Sequence, residues 1–424
     1  MKKLKKGLPS GFAMVLGFGA LILAGFLLLL LPVSQAKPVS ALDCLFVSTS
    51  AICVTGLTPV DISEVFTLFG QNVIMLLFQI GGLGFAVIVV FFLSTISKSG
   101  MYSRTLLRES LGFSASVKIK KVVQFTLLST FILEGVGALL LLTQFIKDYP
   151  FAEALHKAIF HSISAYNNAG FDLFSTSMVG YNTNPVVCLT IGGLIVLGGL
   201  GYFVYYDIIK YKRRKHLALH SKIVISTTIA LILLGTLLLK FTEGESWLIS
   251  FFHSISTRTA GFYASDLTNI TSATALVMIM LMFIGASPGS TGGGIKTTTF
   301  FAVLATGIRT FRNGEAKVFG RRISQESEKQ AFSLLSMALN LCLVATLILT
   351  ITEDAGFLQI LFEVVSAFAT VGLSMGITGG LTAIGKIVII LVMFTGRVGI
   401  ISIITSTHSK EKYVTYPDEV ISIG

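Results

Sequence analysis

Charge is scarce in this chain. Only 12% of its 424 residues are Asp, Glu, Lys or Arg, about half of the roughly 25% found in a soluble domain. Hydrophobic residues make up 53%, and the mean hydropathy is +0.83. Such a balance excludes an ordinary cytosolic enzyme and a disordered chain. Proline is rare too, at eight residues against 41 glycines. Glycine weakens helices but reaches φ > 0, so a helical membrane chain should have positional uses for so many. The four cysteines, Cys44, Cys53, Cys188 and Cys342, have neither zinc nor redox spacing, and nothing here requires a disulfide. His161 and His253 sit on short outer segments without clustered partners, which favours structural or solvated roles over a metal site. No nucleophile with a base is visible, so no enzymatic activity and no organic cofactor are expected.

Apolar runs of about 20 residues read as membrane-spanning helices. Eight are expected, at 11–33, 67–95, 122–144, 185–208, 223–241, 273–307, 331–351 and 383–405. The connections alternate in charge. The N-terminus, the 96–121, 209–222 and 308–330 loops and the tail hold 24 of the 32 basic residues. The other side holds six: Lys37, Lys147, Lys157, Lys240, Arg258 and Lys386. The positive-inside rule therefore places both termini in the cytoplasm. Twelve of the 21 acidic residues lie outside, among them Asp61, Asp172, Glu243, Glu245, Asp266, Glu353 and Asp354. The outer face is thus net −6 by these counts, which attracts cations. Topology explains the basic loops without nucleic acid. The run from Gly11 to Val33 is longer than the roughly 7–15 residues of a signal-peptide core, so it is read as a retained span.

The outer connections after spans one, three, five and seven share a pattern. They read FVSTSAICVTGL from Phe46, FHSISAYNNAGF from Phe160, FHSISTRTAGF from Phe252 and FEVVSAFATVGL from Phe362. Each has a short apolar segment, a serine (Ser50, Ser164, Ser256, Ser366) and a glycine (Gly56, Gly170, Gly261, Gly372). The third is one residue shorter before its glycine. A half-length helix that enters the membrane and returns can hold non-helical backbone at depth only where protein or water surrounds it. Four copies can surround one axis and turn carbonyls toward it, replacing the water shell of a potassium ion. The negative ends of the short helices would point at that cation. A single such glycine would read as a helix C-cap; four on one template favour the filter.

YNNAGFD at 166–172, STRTAGF at 256–262 and VTGL at 54–57 resemble the filter segments of the Trk/Ktr/HKT potassium-transporter superfamily. Over essentially the whole chain the resemblance is to the membrane-subunit (KtrB) type of bacterial Ktr systems. Eight spans favour this type over the longer TrkH type. The resemblance implies an all-α integral membrane fold, with four non-identical helix–pore-loop–helix repeats around one pseudo-four-fold pore. These would span 11–95, 122–208, 223–307 and 331–405, followed by a cytoplasmic tail at 406–424. It further implies potassium uptake across the bacterial plasma membrane by gated, downhill conduction. A homodimer is expected, bound on its cytosolic face to a ring of RCK-type regulatory subunits that carry the nucleotide. Sodium dependence is left open. The filter residues would be Thr55 and Gly56; Asn168, Ala169 and Gly170; Thr259, Ala260 and Gly261; and Thr370, Val371 and Gly372, with backbone carbonyls as the potassium ligands.

The inner half carries Gly81-Gly82-Leu83-Gly84, Gly198-Gly199-Leu200-Gly201 and Gly396-Arg397-Val398-Gly399. The glycine groups suggest close helix packing around the pore. Arg397 should face a cavity or a polar partner. The sixth span contains GASPGSTGGGIK from Gly285 to Lys296. Pro288 and so many glycines argue against continuous helix. An intramembrane gate loop beneath the filter is expected, with Gly289, Gly292, Gly293, Gly294, Lys296 and Arg397 as its residues. The resemblance assigns that loop the same role and matches Arg397 to the arginine of the family's fourth repeat. A phosphate loop is not favoured, because Ile295 splits the required Gly-Lys pair and no strand precedes it. Glu134 lies inside a span. A proton- or sodium-coupled secondary carrier of the TrkH type, the alternative reading, could use it, but pairing with a polar neighbour is preferred. The tail offers contacts for the regulatory subunit or for the dimer, without choosing.

Overall fold

The computed structural model describes residues 10–84, 119–312 and 317–399. The basic N-terminus, most of the 96–121 loop, residues 85–95 of the second span, residues 400–405 of the eighth and the tail lie outside the described residues. One succession of elements recurs four times: a long helix, a short helix, a loop and a second apolar helix. The first set is α1 (Ser10–Leu29), α2 (Ala41–Cys53), the single turn α3 (Ile62–Val65) and α4 (Leu68–Leu83). The second is α5 (Ile119–Phe145), α6 (Phe151–Tyr166), α7 (Pro185–Leu200) and α8 (Tyr202–Arg214). The third is α9 (Leu219–Glu243), α10 (Trp247–Ser256), α11 (Ser272–Phe283) and α12 (Thr297–Arg312). The fourth is α13 (Gln325–Thr352), α14 (Phe357–Ala369) and α15 (Ala383–Val398). The described residues are mostly helical, as expected, with one small addition. Lys317–Val318 and Arg321–Arg322 form a two-stranded antiparallel hairpin, turning at Phe319 and Gly320.

The leading helix of each set is long and apolar enough to cross a membrane: Phe12–Leu29, Gln124–Phe145, Leu219–Glu243 and Gln325–Thr352. Leu23, Leu139, Leu233 and Leu343 stand exposed on these helices, as lipid-facing side chains do. The closing helices are not the continuous spans expected from the sequence. α4 ends at Gly84 (φ 82°, ψ 134°), α7 at Gly201 (φ 82°, ψ 151°) and α15 at Gly399 (φ 87°, ψ 132°). Only glycine occupies that conformation readily. The chain bends by 88° between α7 and α8. The closing helix of the third set is interrupted between α11 and α12, as the Pro288 region leads one to expect.

Each set is stapled shut at one end by the N-cap of its closing helix. Thr382 donates to Glu353 at the end of α13, from its backbone at 2.8 Å and its hydroxyl at 2.6 Å. Thr271 does the same to Glu243. Thr67 donates its hydroxyl to the Val33 carbonyl at 2.6 Å, and Asn184 donates to Gln144 at 3.2 Å.

The short helices are held by hydroxyl bonds to the leading helices. Ser48 donates to the Ile22 carbonyl, Ser162 to that of Glu134 and Ser254 to that of Ile232, at 2.6–2.8 Å. Each is met by a glycine, Gly25, Gly137 or Gly235, where any Cβ would collide with the serine hydroxyl. In lipid there is little hydrophobic drive between helices, so close packing and such hydrogen bonds carry the association. Phe46, Phe160, Phe252 and Phe362 open the four templates and are all at most 1% exposed. All four cysteines are buried free thiols.

Candidate ion-conduction site

Two of the four short helices stop directly against a residue of left-handed conformation, and in the second and third copies that residue follows one and two positions after the C-cap. These residues are Val54, Asn168, Thr259 and Thr370, with φ of 57°, 57°, 74° and 50°. Two residues on come Gly56, Gly170, Gly261 and Gly372, with φ of 90°, 69°, 82° and 96°. A non-glycine residue at positive φ costs on the order of 1–3 kcal/mol and persists only where its surroundings hold it. Here the holding group is the template serine. Its carbonyl takes the N–H of Thr55, Ala169 and Val371 at 2.8 Å and of Ala260 at 2.9 Å. Its hydroxyl then fixes the far side of each turn. Ser50 and Ser366 accept the N–H of Gly56 and Gly372 at 3.0 and 3.1 Å. Ser164 and Ser256 donate instead to the carbonyls of Phe171 and Phe262.

The four turns interlock in a circle. A Cβ on Gly56 would come within 2.5 Å of the Ala169 carbonyl oxygen, and one on Gly170 within 2.7 Å of the Ala260 oxygen. A Cβ on Gly261 would strike the Val371 carbonyl, and one on Gly372 the Thr55 carbonyl. The contacts run from first turn to second, third, fourth and back to first. The sequence-expected residues Thr55, Ala169, Ala260 and Val371 thus meet the four glycines in one ring. The negative dipole ends of α2, α6, α10 and α14 all terminate at it.

Above the ring opens a cavity of about 360 Å³, lined by all four glycines and by Asp61, Asp172 and Asp266. Desolvation pushes the Asp172 carboxyl up to about 6, against a hydrogen bond from the Phe174 backbone and helped by the nearby Asp61 charge. Asp61, although partly desolvated, is held below the ordinary carboxylate range by hydrogen bonds from Ser175 and Ser63. The cavity mouth is therefore anionic at neutral pH.

In three copies the residue after the template Phe is a brace, a structural role of the kind favoured from the sequence for His161 and His253 and not assigned for Glu363. His161 Nε2 takes the Leu173 N–H at 3.2 Å, and His253 Nε2 takes the Ala264 N–H at 3.0 Å. Glu363 accepts the hydroxyls of Ser374 at 2.6 Å and Thr378 at 2.5 Å. All three are buried and tie the ascending chain to its short helix; only Val47, in the first copy, lacks the group. The polar residue at one template position in three copies was the signal for them.

Below the ring, the glycine groups prove to have two uses. Gly81, Gly198 and Gly396 pack directly on the carbonyls of Ile52, Tyr166 and Phe368 at the ends of the short helices. The last glycine of each group instead breaks the helix, which packing alone does not require. The interrupted segment Gly285–Lys296 is pinned at its base, where Gly285 N–H meets the Ile295 carbonyl at 2.8 Å. It runs beneath the ring, and a Cβ on Gly292 or Gly293 would strike the hydroxyl of Thr259 or Thr370. Gly294 packs on Ala369. The Gly289 carbonyl takes the Tyr202 N–H at 3.1 Å, at the start of α8. Lys296 donates to the Gly292 carbonyl at 2.6 Å. Arg397 donates to the carbonyl of Thr291 in this loop and to that of Gly81 at the end of α4. The guanidinium so joins the loop to the end of α4 through backbone carbonyls, a polar setting for a charge at this depth.

Arg258 requires a correction. The sequence count puts it on the outer surface, but it is 6% exposed behind the third turn and donates to Thr228. Glu363 was likewise counted outside. One charge of each sign is removed, so the outer balance of −6 is unchanged. Glu134 is buried and takes amide hydrogens from Gln79 at 3.1 Å and Asn167 at 2.9 Å. Among the described residues no group of three His, Cys, Asp or Glu converges on a metal position.

Four helix–loop–helix sets around a ring of carbonyls, each led by a helix long and apolar enough to cross a membrane, define a helical membrane protein. The family model of the cation transport protein TrkH matches residues 18–227 and 223–416, and the chain belongs to that family, whose members are transporters and not enzymes. The potassium/sodium uptake protein NtpJ of Enterococcus hirae is 38% identical, covering 100% of this chain and 99% of its own. The Ktr system potassium uptake protein B of Bacillus subtilis is 37% identical over 97% of this chain and 96% of its own. That of Vibrio alginolyticus is 36% identical over 100% and 96%. The crystal structure of the potassium transporter TrkH from Vibrio parahaemolyticus shares the fold, with a TM-score of 0.75 over 95% of this chain and 85% of that one, at 20% identity.

Proposed function

We propose that this chain is the pore-forming subunit of a potassium uptake system in the bacterial plasma membrane. It crosses the membrane eight times, with both termini in the cytoplasm. Potassium is the ion that passes, stripped of water at the ring by the carbonyls near Gly56, Gly170, Gly261 and Gly372. The observation that carries this reading is the closed circle in which each glycine abuts the carbonyl of the next turn. The anionic cavity above it gathers cations. The names of its relatives, two potassium uptake proteins and one potassium/sodium uptake protein matched over 96–99% of their own length, support potassium as a transported ion.

The Gly285–Lys296 loop is the gate. It closes the path below the ring, and Arg397 latches it to the end of α4. Relatives named as parts of a Ktr system suggest further subunits. A homodimer on a cytosolic RCK-type ring, which carries the nucleotide, is the assembly we propose. A coupled carrier finds no support in Glu134, because its carboxylate is occupied by two amides rather than turned to the axis. The test is growth of a potassium-uptake-deficient bacterium at low potassium, with and without the cytosolic partner. Rescue is expected with the partner; no rescue in either case would overturn the reading.

A further inference from the structure

Glu134 ends a buried polar stripe on α5 formed with Thr126 and Thr130, residues four apart that share one helix face. Each of its oxygens is engaged. Asn167 Nδ2 donates to Oε1 at 2.9 Å and Gln79 Nε2 to Oε2 at 3.1 Å. Asn167 Nδ2 also donates to Gln79 Oε1 at 2.6 Å. The three side chains form a closed circuit joining α4, α5 and the end of α6. Gly82 leaves the room for it, since a Cβ there would lie 2.7 Å from the Asn167 Cβ. Asn167 immediately precedes Asn168, the left-handed residue that starts the second turn of the ring.

Packing does not demand a carboxylate at this place. The residue whose carbonyl takes the short-helix serine is Ile22 in the first set and Ile232 in the third. Glu134 is its counterpart in the second. The residues matching Asn167 are Cys53, Arg258 and Ala369. The circuit is thus a feature of the second set alone, directly behind one quarter of the ring. Asn167 Oδ1 has no partner, and its Nδ2 also faces the Ile163 carbonyl at 2.8 Å, so the placement of this side chain rests on the acceptors gathered around Nδ2, Glu134 and Gln79 among them.

We propose that Glu134 is a positioning residue for the ring: through Asn167 and Gln79 it holds the second turn where the pore distinguishes potassium from sodium. The inference rests on the potassium-pore reading above. It is tested in reconstituted vesicles by the ratio of potassium to sodium uptake. Glu134→Ile, the residue of the first and third sets, should lower that ratio about fivefold. Asn167→Ala should lower it as much, and Glu134→Ile should add nothing in the Asn167→Ala background. Glu134→Gln, which keeps an acceptor for Asn167, should stay within about twofold of wild type.

An unchanged ratio in Glu134→Ile, or an equal further loss in the Asn167→Ala background, would overturn the proposal. If Glu134→Ile does not insert, Asn167→Ala decides: a lowered ratio supports the circuit and an unchanged one overturns it. A wild-type protein that passes no potassium would remove the pore reading and this inference with it, so the two failures are told apart.

Discussion

Lys386 and Asp43 lie 343 residues apart in sequence and 2.6 Å apart in space. The pair joins the start of α15 to the first turn of α2, and so ties the last set of helices to the first. Both side chains are mostly buried, at 15% and 14% exposure, which leaves little water to replace a missing partner. Lys386→Met should lower stability by about 1–2 kcal/mol, read as a lower midpoint of thermal unfolding in detergent. The exchanged pair, Lys386→Asp with Asp43→Lys, should recover most of it.

Gly261 is constrained twice over, with φ of 82° and its missing Cβ directed at the Val371 carbonyl. Gly261→Ser should push that carbonyl aside and weaken selection of potassium over sodium. Competition between the two ions in vesicle uptake measures it. Equal selectivity would contradict the assignment of the ring as the filter.

Asp172 gives a pH dependence with a defined sign. Its carboxyl titrates at about 6, so it is charged above that pH and neutral below. Asp61, held lower, keeps its charge across the same range. Uptake at low potassium should therefore fall as external pH drops through 6, by roughly threefold as one charge leaves the mouth. Asp172→Asn should abolish this step and show the lower rate throughout. A profile that keeps the step in that variant would assign it elsewhere.

Deleting residues 288–294 removes the part of the loop that lies under Thr259 and Thr370, along with the carbonyl held by Arg397. Ion flux through reconstituted vesicles should rise. Flux equal to that of the intact chain would mean the segment is not the barrier.

The four templates were legible in the sequence because a pore loop repeats its chemistry: Phe, Ser and Gly serve the same contacts each time. The interrupted sixth span was legible because proline and glycine act locally. The other helix breaks were not. Gly81 and Gly84 are one residue type with two uses, one letting a carbonyl approach and the other turning the chain, and composition does not separate them. Arg258 misled for a related reason. Charge counting assigns a residue to a side of the membrane and is blind to depth, although its template neighbours Cys53, Asn167 and Ala369 are all buried. His161, His253 and Glu363 differ in chemistry but share a position, and alignment by residue type passes over such equivalence.

The circle of turns has a consequence for biosynthesis. The carbonyl of Thr55 meets Gly372, and so the first turn made by the ribosome is completed by the last. No subset of the four sets contains a closed ring. A nascent chain halted anywhere before α14 has emerged has no closed ring, so the ring is completed only when the last set has been made. Order of synthesis and order of assembly meet at one contact.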